Sequence, residues 1–278
     1  MPRPRIAVLG AGSWGTALAI LLARNGHAVR LWGNEPPVMA ELARTRRNAR
    51  YLPDAVFPYG LAIHDNLDAA LADHADVLVV VPSHAFRAVL TMLAPKLAPA
   101  TPLAWATKGL EMASGKLLHQ VAEEVLPANI PTAVISGPTF AREVAAGLPT
   151  AATVAGSDAA VAQHFAALLR GAAFRAYTST DRIGLELGGA LKNVLAIAAG
   201  ISDGLGFGAN SRAALITRGL AEMIRLGEAL GGHRETFMGL AGVGDLVLTC
   251  TDDQSRNRRM GLALGRGQSR DEAHKVID

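Results

Sequence analysis

The chain holds a single cysteine, Cys250, so no internal disulfide can form, which suits a reducing compartment. Aromatic residues make up only 5%. The apolar half of the composition therefore rests on Ala and Leu, which favour helices, and on Val, which favours strands. Charge of one sign is also scarce. A net charge of +3 is too mild to imply nucleic acid, and the densest basic stretch, Arg44 to Arg50, reads as a solvated helix end. Long apolar runs are missing too. The run after Arg5 breaks at Gly10, too early for a secretory signal. The longest Ala-rich segment is interrupted by Lys192, Asn193 and several glycines, a poor candidate for stable membrane insertion. The histidines show no metal-ligand spacing with cysteine or acids, so no metal site is expected. What remains is a cytoplasmic protein whose 278 residues allow more than one domain.

Short apolar segments alternate with helix-like segments over the first two thirds of the chain. Strands are expected at Arg5–Leu9, Ala28–Trp32, 77–81, 102–106, 132–135, 151–154 and 174–177. Most are continuous apolar runs, as in strands buried on both faces. Helices are expected at 14–25, 37–45, 85–93, 115–125, 139–146 and 158–169. Repeated βα units with short turns predict an α/β domain with a doubly wound, mainly parallel sheet. After about residue 178 the strands stop. Two long helices are expected at 181–202 and 212–230, with shorter ones to the end. The reading is an N-terminal domain over 1–180 and an all-α domain over 181–278.

The first strand runs into Gly10-Ala-Gly12-Ser13-Trp14-Gly15 and then a helix. In this context G-x-G-x-x-G is a dinucleotide fingerprint. Gly10 permits the tight turn, Gly12 lets the backbone approach a pyrophosphate, and Gly15 lets the helix pack closely. The helix N-terminus offers free N–H groups to phosphate. Glu35, past the second strand, either binds a ribose hydroxyl or caps the next helix, so NAD and NADP both stay open. Three later strand ends carry anion-friendly turns: Pro82-Ser83-His84, Thr107-Lys108-Gly109 and Ser136-Gly137-Pro138-Thr139. Each also has a plain reading as a loop, a solvated turn or a cap.

In the second half, Gly188 and Gly189 sit one turn before Lys192. Each helical glycine costs about 1 kcal/mol relative to alanine, and close approach of another backbone or a ligand would supply a reason. A lysine on this Gly/Ala face is either desolvated, which lowers its pKa and suits proton transfer, or reaches past the small residues to solvent. Asp245, after a glycine bend, is an N-cap or a buried acid. Ser255-Arg256-Asn257 at a helix start combine hydroxyl, guanidinium and amide at the positive end of the dipole, a phosphate site or an ordinary charged helix start.

Taken together, Gly10 to Thr16, Asn48 to Pro53, Thr107-Lys108-Gly109-Leu110-Glu111, Ser136 to Ala141, Leu191-Lys192-Asn193, Gly242 to Asp245 and Gln254 to Asn257 closely resemble bacterial NAD(P)-dependent glycerol-3-phosphate dehydrogenases. The resemblance implies a Rossmann-type N-terminal domain and an oxidoreductase. Such an enzyme interconverts sn-glycerol 3-phosphate and dihydroxyacetone phosphate and supplies glycerol 3-phosphate for phospholipid synthesis. It implies that Lys192 is catalytic, and that Gly10, Gly12, Ser13, Trp14, Gly15, Lys108, Ala141 and Arg256 contact NAD or NADP, with position 34 beside the ribose. Lys108, Gly137, Thr139, Lys192, Asp245, Ser255, Arg256 and Asn257 would hold the phosphorylated small-molecule substrate. Asn34 departs from the basic residue usual there. The family continues past the position of Asp278 into further helices, so a truncated helical domain is expected. A homodimer is compatible with this reading. The competing readings are a β-hydroxyacid-type dehydrogenase with a carboxylate in place of the phosphate, and a catalytically silent nucleotide-binding protein.

Overall fold

The computed structural model describes residues 5–72 and 76–277. By contacts the chain divides into two compact units: the first runs to Ile135 and resumes over Thr139–Arg182, and the second takes Ser136–Pro138 and everything from Ile183 on.

The first unit is built on β1 (Arg5–Leu9), α1 (Ser13–Arg24), β2 (Ala28–Trp32), α2 (Pro36–Thr45), β3 (Arg47–Asn48), β4 (Leu52–Val56), β5 (Leu61–His64), α3 (Leu67–Leu71), β6 (Asp76–Val79), α4 (Ser83–Leu93), β7 (Leu103–Trp105), α5 (Leu118–Val125), β8 (Thr132–Ser136), α6 (Ala141–Ala146), β9 (Thr150–Gly156), α7 (Ala159–Leu169) and β10 (Phe174–Ser179). Eight of the strands form one sheet in the order β10-β9-β8-β7-β6-β1-β2-β5. β1 pairs in parallel with β2 on one side and β6 on the other, and β7 and β8 continue in parallel. The Ser157 N–H donates to the Thr132 carbonyl at 2.7 Å. The end of β9 therefore lies beside the start of β8, and those two strands run in opposite senses. The sheet is mainly parallel.

The continuous apolar runs explain this burial. Ile6, Ala7, Val8 and Leu9 are all fully buried, so both faces of β1 are covered, as parallel sheets require. α1 contributes an Ala- and Leu-rich buried stretch over 15–23 to a core that includes Ile6, Val8, Leu18, Ile20, Leu22, Leu31, Phe165 and Phe174. The helices stop where the sequence says. α1 gives way to Gly26, at φ +91°, and Asp158 caps the start of α7, its carboxylate accepting from the N–H groups of Ala160 and Val161.

β1 and β2 have the expected bounds. α5 starts at Leu118, three residues later than expected, because the chain first turns at Gly115, φ +71°. The β3–β4 hairpin, β5 and α3 have no counterpart among the expected elements. The Arg-rich stretch around residues 44–50 proves to be more than a helix end. Arg46 closes α2 in the left-handed region, φ 57°, and donates to the Pro58 carbonyl. The hairpin follows directly.

The second unit is helical throughout its later part: α8 (Arg182–Gly204), α9 (Gly208–Ala229), α10 (Arg234–Phe237), a π-helical turn (Leu240–Gly244), α11 (Asp245–Thr251), α12 (Arg256–Gly265) and α13 (Arg270–Ile277). α8 is long and apolar enough to cross a membrane by composition, but 56% of its apolar window is buried inside the protein. Glycine makes that burial possible. A Cβ at Gly188 would come within 2.3 Å of the Ala241 carbonyl oxygen, and one at Gly261 within 2.0 Å of the Ile197 carbonyl oxygen. Backbone thus meets backbone where α8 touches the π turn and α12, which is the reason for glycine at positions 188 and 261. Asp203 fastens α8 to α9 and to α12. It pairs with Arg212 at 2.7 Å and with the buried Arg258 at 2.7 Å. Arg258 also bonds Asp253 and donates to the Cys250 carbonyl.

Candidate cofactor and catalytic sites

The first unit carries the glycine turn at the carboxyl end of β1, the strand from which the sheet extends to β2 on one side and to β6 on the other. Ligands of open α/β sheets bind at such switch points. Each glycine has a distinct physical reason. Gly10 lies at φ +120°, and a Cβ there would sit 2.3 Å from the Val80 carbonyl oxygen. A Cβ at Gly15 would sit 1.9 Å from the Gly10 carbonyl oxygen. At Gly12 an added Cβ would meet nothing within 4 Å, so its missing side chain leaves open space beside the start of α1. No side chain caps that helix, and its first N–H groups are available to an anion. The Trp14 indole Nε1 is buried with no partner in the structure. Open space at Gly12, an uncapped helix start and an orphaned indole donor together fit a dinucleotide diphosphate.

Lys108 lies on the loop after β7, held by the Thr107 hydroxyl donating to the Val81 carbonyl at 2.8 Å and by Gly109 at φ +118°. Arg87 clamps Glu111 further along, at 2.6 and 2.9 Å, and with Ser114 it holds that carboxyl at a pKa of about 2. Asn34 is exposed beyond β2, His84 is exposed in the first turn of α4, and Ala141 is half-buried at the start of α6.

The second unit supplies the charged centre. Lys192 is 7% exposed, so the reading in which it reaches past glycine to solvent is excluded. Its ammonium donates to Asp245 Oδ1 at 2.5 Å and to Thr249 Oγ1 at 2.9 Å. Asp245, 1% exposed, is the buried acid rather than a solvated cap. It opens α11, so Thr249 lies one turn on, on the same face. The next residue on α8, Asn193, accepts from Asn257 Nδ2 at 2.8 Å. Asn257 adjoins Arg256, whose exposed side chain starts α12. Ser255 is the N-cap, its hydroxyl accepting from the Arg258 N–H. The neighbouring acids that would oppose a phosphate are engaged elsewhere: Asp253 on Arg258 and Asp252 on the Gln254 N–H. Ser136 to Pro138 group with this unit, and Pro138 Cγ lies 3.7 Å from the Cβ position of Gly244, which puts Gly137 beside the bend that leads to Asp245. The Ser136 hydroxyl is buried without a partner. Thr139 groups with the first unit. Thr249 is the site residue that sequence reasoning missed, although its spacing of four from Asp245 on one helix was visible.

The sheet order, the glycine turn and the buried lysine–carboxylate centre define a Rossmann-type dinucleotide-binding protein with a helical second unit. Residues 5–162 match the model of the NAD-dependent glycerol-3-phosphate dehydrogenase N-terminus, and residues 181–278 match the model of its C-terminus. The chain belongs to this family. It is 64% identical over 277 residues to a glycerol-3-phosphate dehydrogenase [NAD(P)+] of Thioalkalivibrio sulfidiphilus, covering 100% of this chain and 83% of that protein. It is 58% identical to the protein of the same name from Xanthomonas oryzae, covering 98% of this chain and 80% of that one. A crystal structure of glycerol-3-phosphate dehydrogenase from Coxiella burnetii superposes with a TM-score of 0.95 at 53% identity, over 99% of this chain and 84% of that one.

Proposed function

We propose that the chain interconverts sn-glycerol 3-phosphate and dihydroxyacetone phosphate with NAD(P), and that Lys192 moves the proton. The observation that carries this reading is the buried Lys192–Asp245 pair, whose neighbour Asn193 is bonded to the segment that bears Arg256. When bound, the dinucleotide supplies or accepts the hydride. Gly10, Gly12, Ser13, Trp14 and Gly15 hold its diphosphate, and Lys108, Ala141 and Arg256 contact it. Asn34, uncharged, would offer no cation to a 2′-phosphate.

In the direction of ketone reduction, the Lys192 ammonium donates its proton to the carbonyl oxygen at carbon 2. In alcohol oxidation the amine takes that proton back. Asp245 and Thr249 fix the Nζ atom by accepting from it, so the proton donor is held in place before substrate arrives. Arg256, Ser255 and Asn257 at the start of α12 hold the substrate phosphate, where the guanidinium and the helix dipole act together. Gly137, Thr139 and Lys108 complete the substrate contacts. Holding the substrate in one orientation supplies much of the rate. Cys250 is a bystander: burial pushes its thiol up to about 11, which keeps it protonated and unreactive. With its lone cysteine so placed, the enzyme is suited to the cytoplasm, where its product feeds phospholipid synthesis.

The experiment is an assay of NADH and NADPH oxidation with dihydroxyacetone phosphate, run on the wild type and on Lys192→Ala. The variant lowers kcat by about 10²–10⁴-fold, the usual span for a general acid–base group, with little change in cofactor affinity. Unchanged turnover rejects Lys192 as the acid–base.

A further inference from the structure

We infer that Asn48 is a positioning residue for the cofactor diphosphate, acting through the Ala11–Gly12 peptide. The inference rests on the reading of the glycine turn as a dinucleotide site. Asn48 is 2% exposed and is carried to the turn by the β3–β4 hairpin, where it pairs with Leu52. Its Nδ2 donates to the Ala11 carbonyl at 2.9 Å and to Thr16 Oγ1 at 2.9 Å. A carbonyl can only accept, which fixes which end of the Asn48 amide faces the turn. The Thr16 hydroxyl, fully buried on α1, reaches the same carbonyl at 3.4 Å. A backbone carbonyl in the middle of a flexible glycine turn is thus tied from the side.

The consequence follows from the geometry of the peptide group. A trans peptide is planar, with its C=O and N–H pointing in opposite directions. Anchoring the Ala11 oxygen therefore sets the direction of the Gly12 N–H, which points away from Asn48. Gly12 has no side chain to restrain it, and nothing else occupies the space where its Cβ would stand. Without the anchor, rotation of this peptide would turn a carbonyl, instead of an N–H, toward an incoming phosphate. Asn48 converts a permissive turn into an oriented donor.

The test is calorimetric titration with ADP-ribose, which carries the diphosphate but no nicotinamide, on wild type, Asn48→Leu and Thr16→Val. Leucine fills nearly the same volume with no donor. Asn48→Leu weakens ADP-ribose binding about tenfold or more and raises KM for the cofactor, while KM for dihydroxyacetone phosphate and kcat at saturating cofactor stay within about twofold. A residue that merely supported the fold would disturb both KM values and kcat together, and that result overturns the inference. So does wild-type affinity in Asn48→Leu. If that variant does not fold, Thr16→Val, which keeps the side-chain shape and removes the hydroxyl, still loses affinity several-fold, and unchanged binding there overturns the inference equally. Absence of any ADP-ribose binding by the wild type would instead refute the dinucleotide reading itself.

Discussion

The glycine turn of the first unit and the lysine centre of the second, read as ligand sites, are built by opposite means. The turn works by leaving side chains out. Its donors are backbone N–H groups, and its specificity is steric, written in the 1.9 Å and 2.3 Å approaches that only glycine allows at positions 15 and 10. The lysine centre works by putting charge in. Lys192 and Asp245 are removed from water almost completely and answer each other at 2.5 Å. A site made of backbone is damaged by adding a methyl group. A site made of buried charge is damaged by taking one partner away.

The strongest way to press that contrast is to delete Asp245. A buried ion pair gains little net stability over apolar packing, but removing one partner leaves the other charge uncompensated, at about 3–5 kcal/mol. Asp245→Ala should therefore destabilise the second unit by about that much in chemical denaturation, and lower kcat as Nζ loses its anchor. Asp245→Asn, which keeps an acceptor in place, should lose less stability. Equal stability of Asp245→Ala and wild type would break the claim that this centre depends on compensated charge.

At the turn the effect is smaller and splits in two. Gly15→Ala drives a methyl into the Gly10 carbonyl and should cost about 3 kcal/mol, the upper part of the usual range for overpacking. Gly12→Ala meets open space, with φ at −71°, so the fold should lose less than about 1 kcal/mol. On the proposed reading its methyl would stand where the diphosphate binds, and cofactor affinity should fall tenfold or more. Thermal unfolding with and without NADH reads both. Stabilisation of Gly12→Ala by NADH equal to that of the wild type would show that the open space at Gly12 is not the ligand's.

How far the sequence foretells these two regions follows the same division. The turn is legible because local rules decide it: β1 ends, three glycines follow at fixed spacing, and α1 begins, all within about a dozen residues. Lys192 is singled out by the glycines before it, yet its burial stays open in the sequence, because the partner that decides it lies 53 residues away. The same distance leaves Asp245 undecided between cap and buried acid. The β3–β4 hairpin escapes because β3 has two residues and β4 is mostly exposed and contains Pro53, so neither shows a buried apolar period. That hairpin delivers Asn48, whose role is visible only once residues 11, 16 and 48 are brought together.

The smallest expected effect tests whether charge in the first unit is as peripheral as the contrast implies. Its ion pairs at Arg44, Lys96 and Lys116 are exposed, and such pairs contribute little. Among the described residues, the ion pair that involves a histidine is His164 with Asp76, at 2.9 Å. The hydrogen bond to Asp76 raises the His164 pKa above 6.5, against a smaller opposing effect of burial. Because the folded value is the higher one, the pair's stabilisation is fully present below pH 6.5 and is lost as pH rises through the folded pKa. Partial exposure of the imidazole limits it to less than about 1 kcal/mol. Denaturation midpoints at pH 6 and pH 8 should therefore differ between wild type and His164→Gln, with the wild-type advantage shrinking at the higher pH. A wild-type advantage that grows toward pH 8 would mean the imidazole is stabilised in its neutral form, and the charges of the first unit would need to be reconsidered.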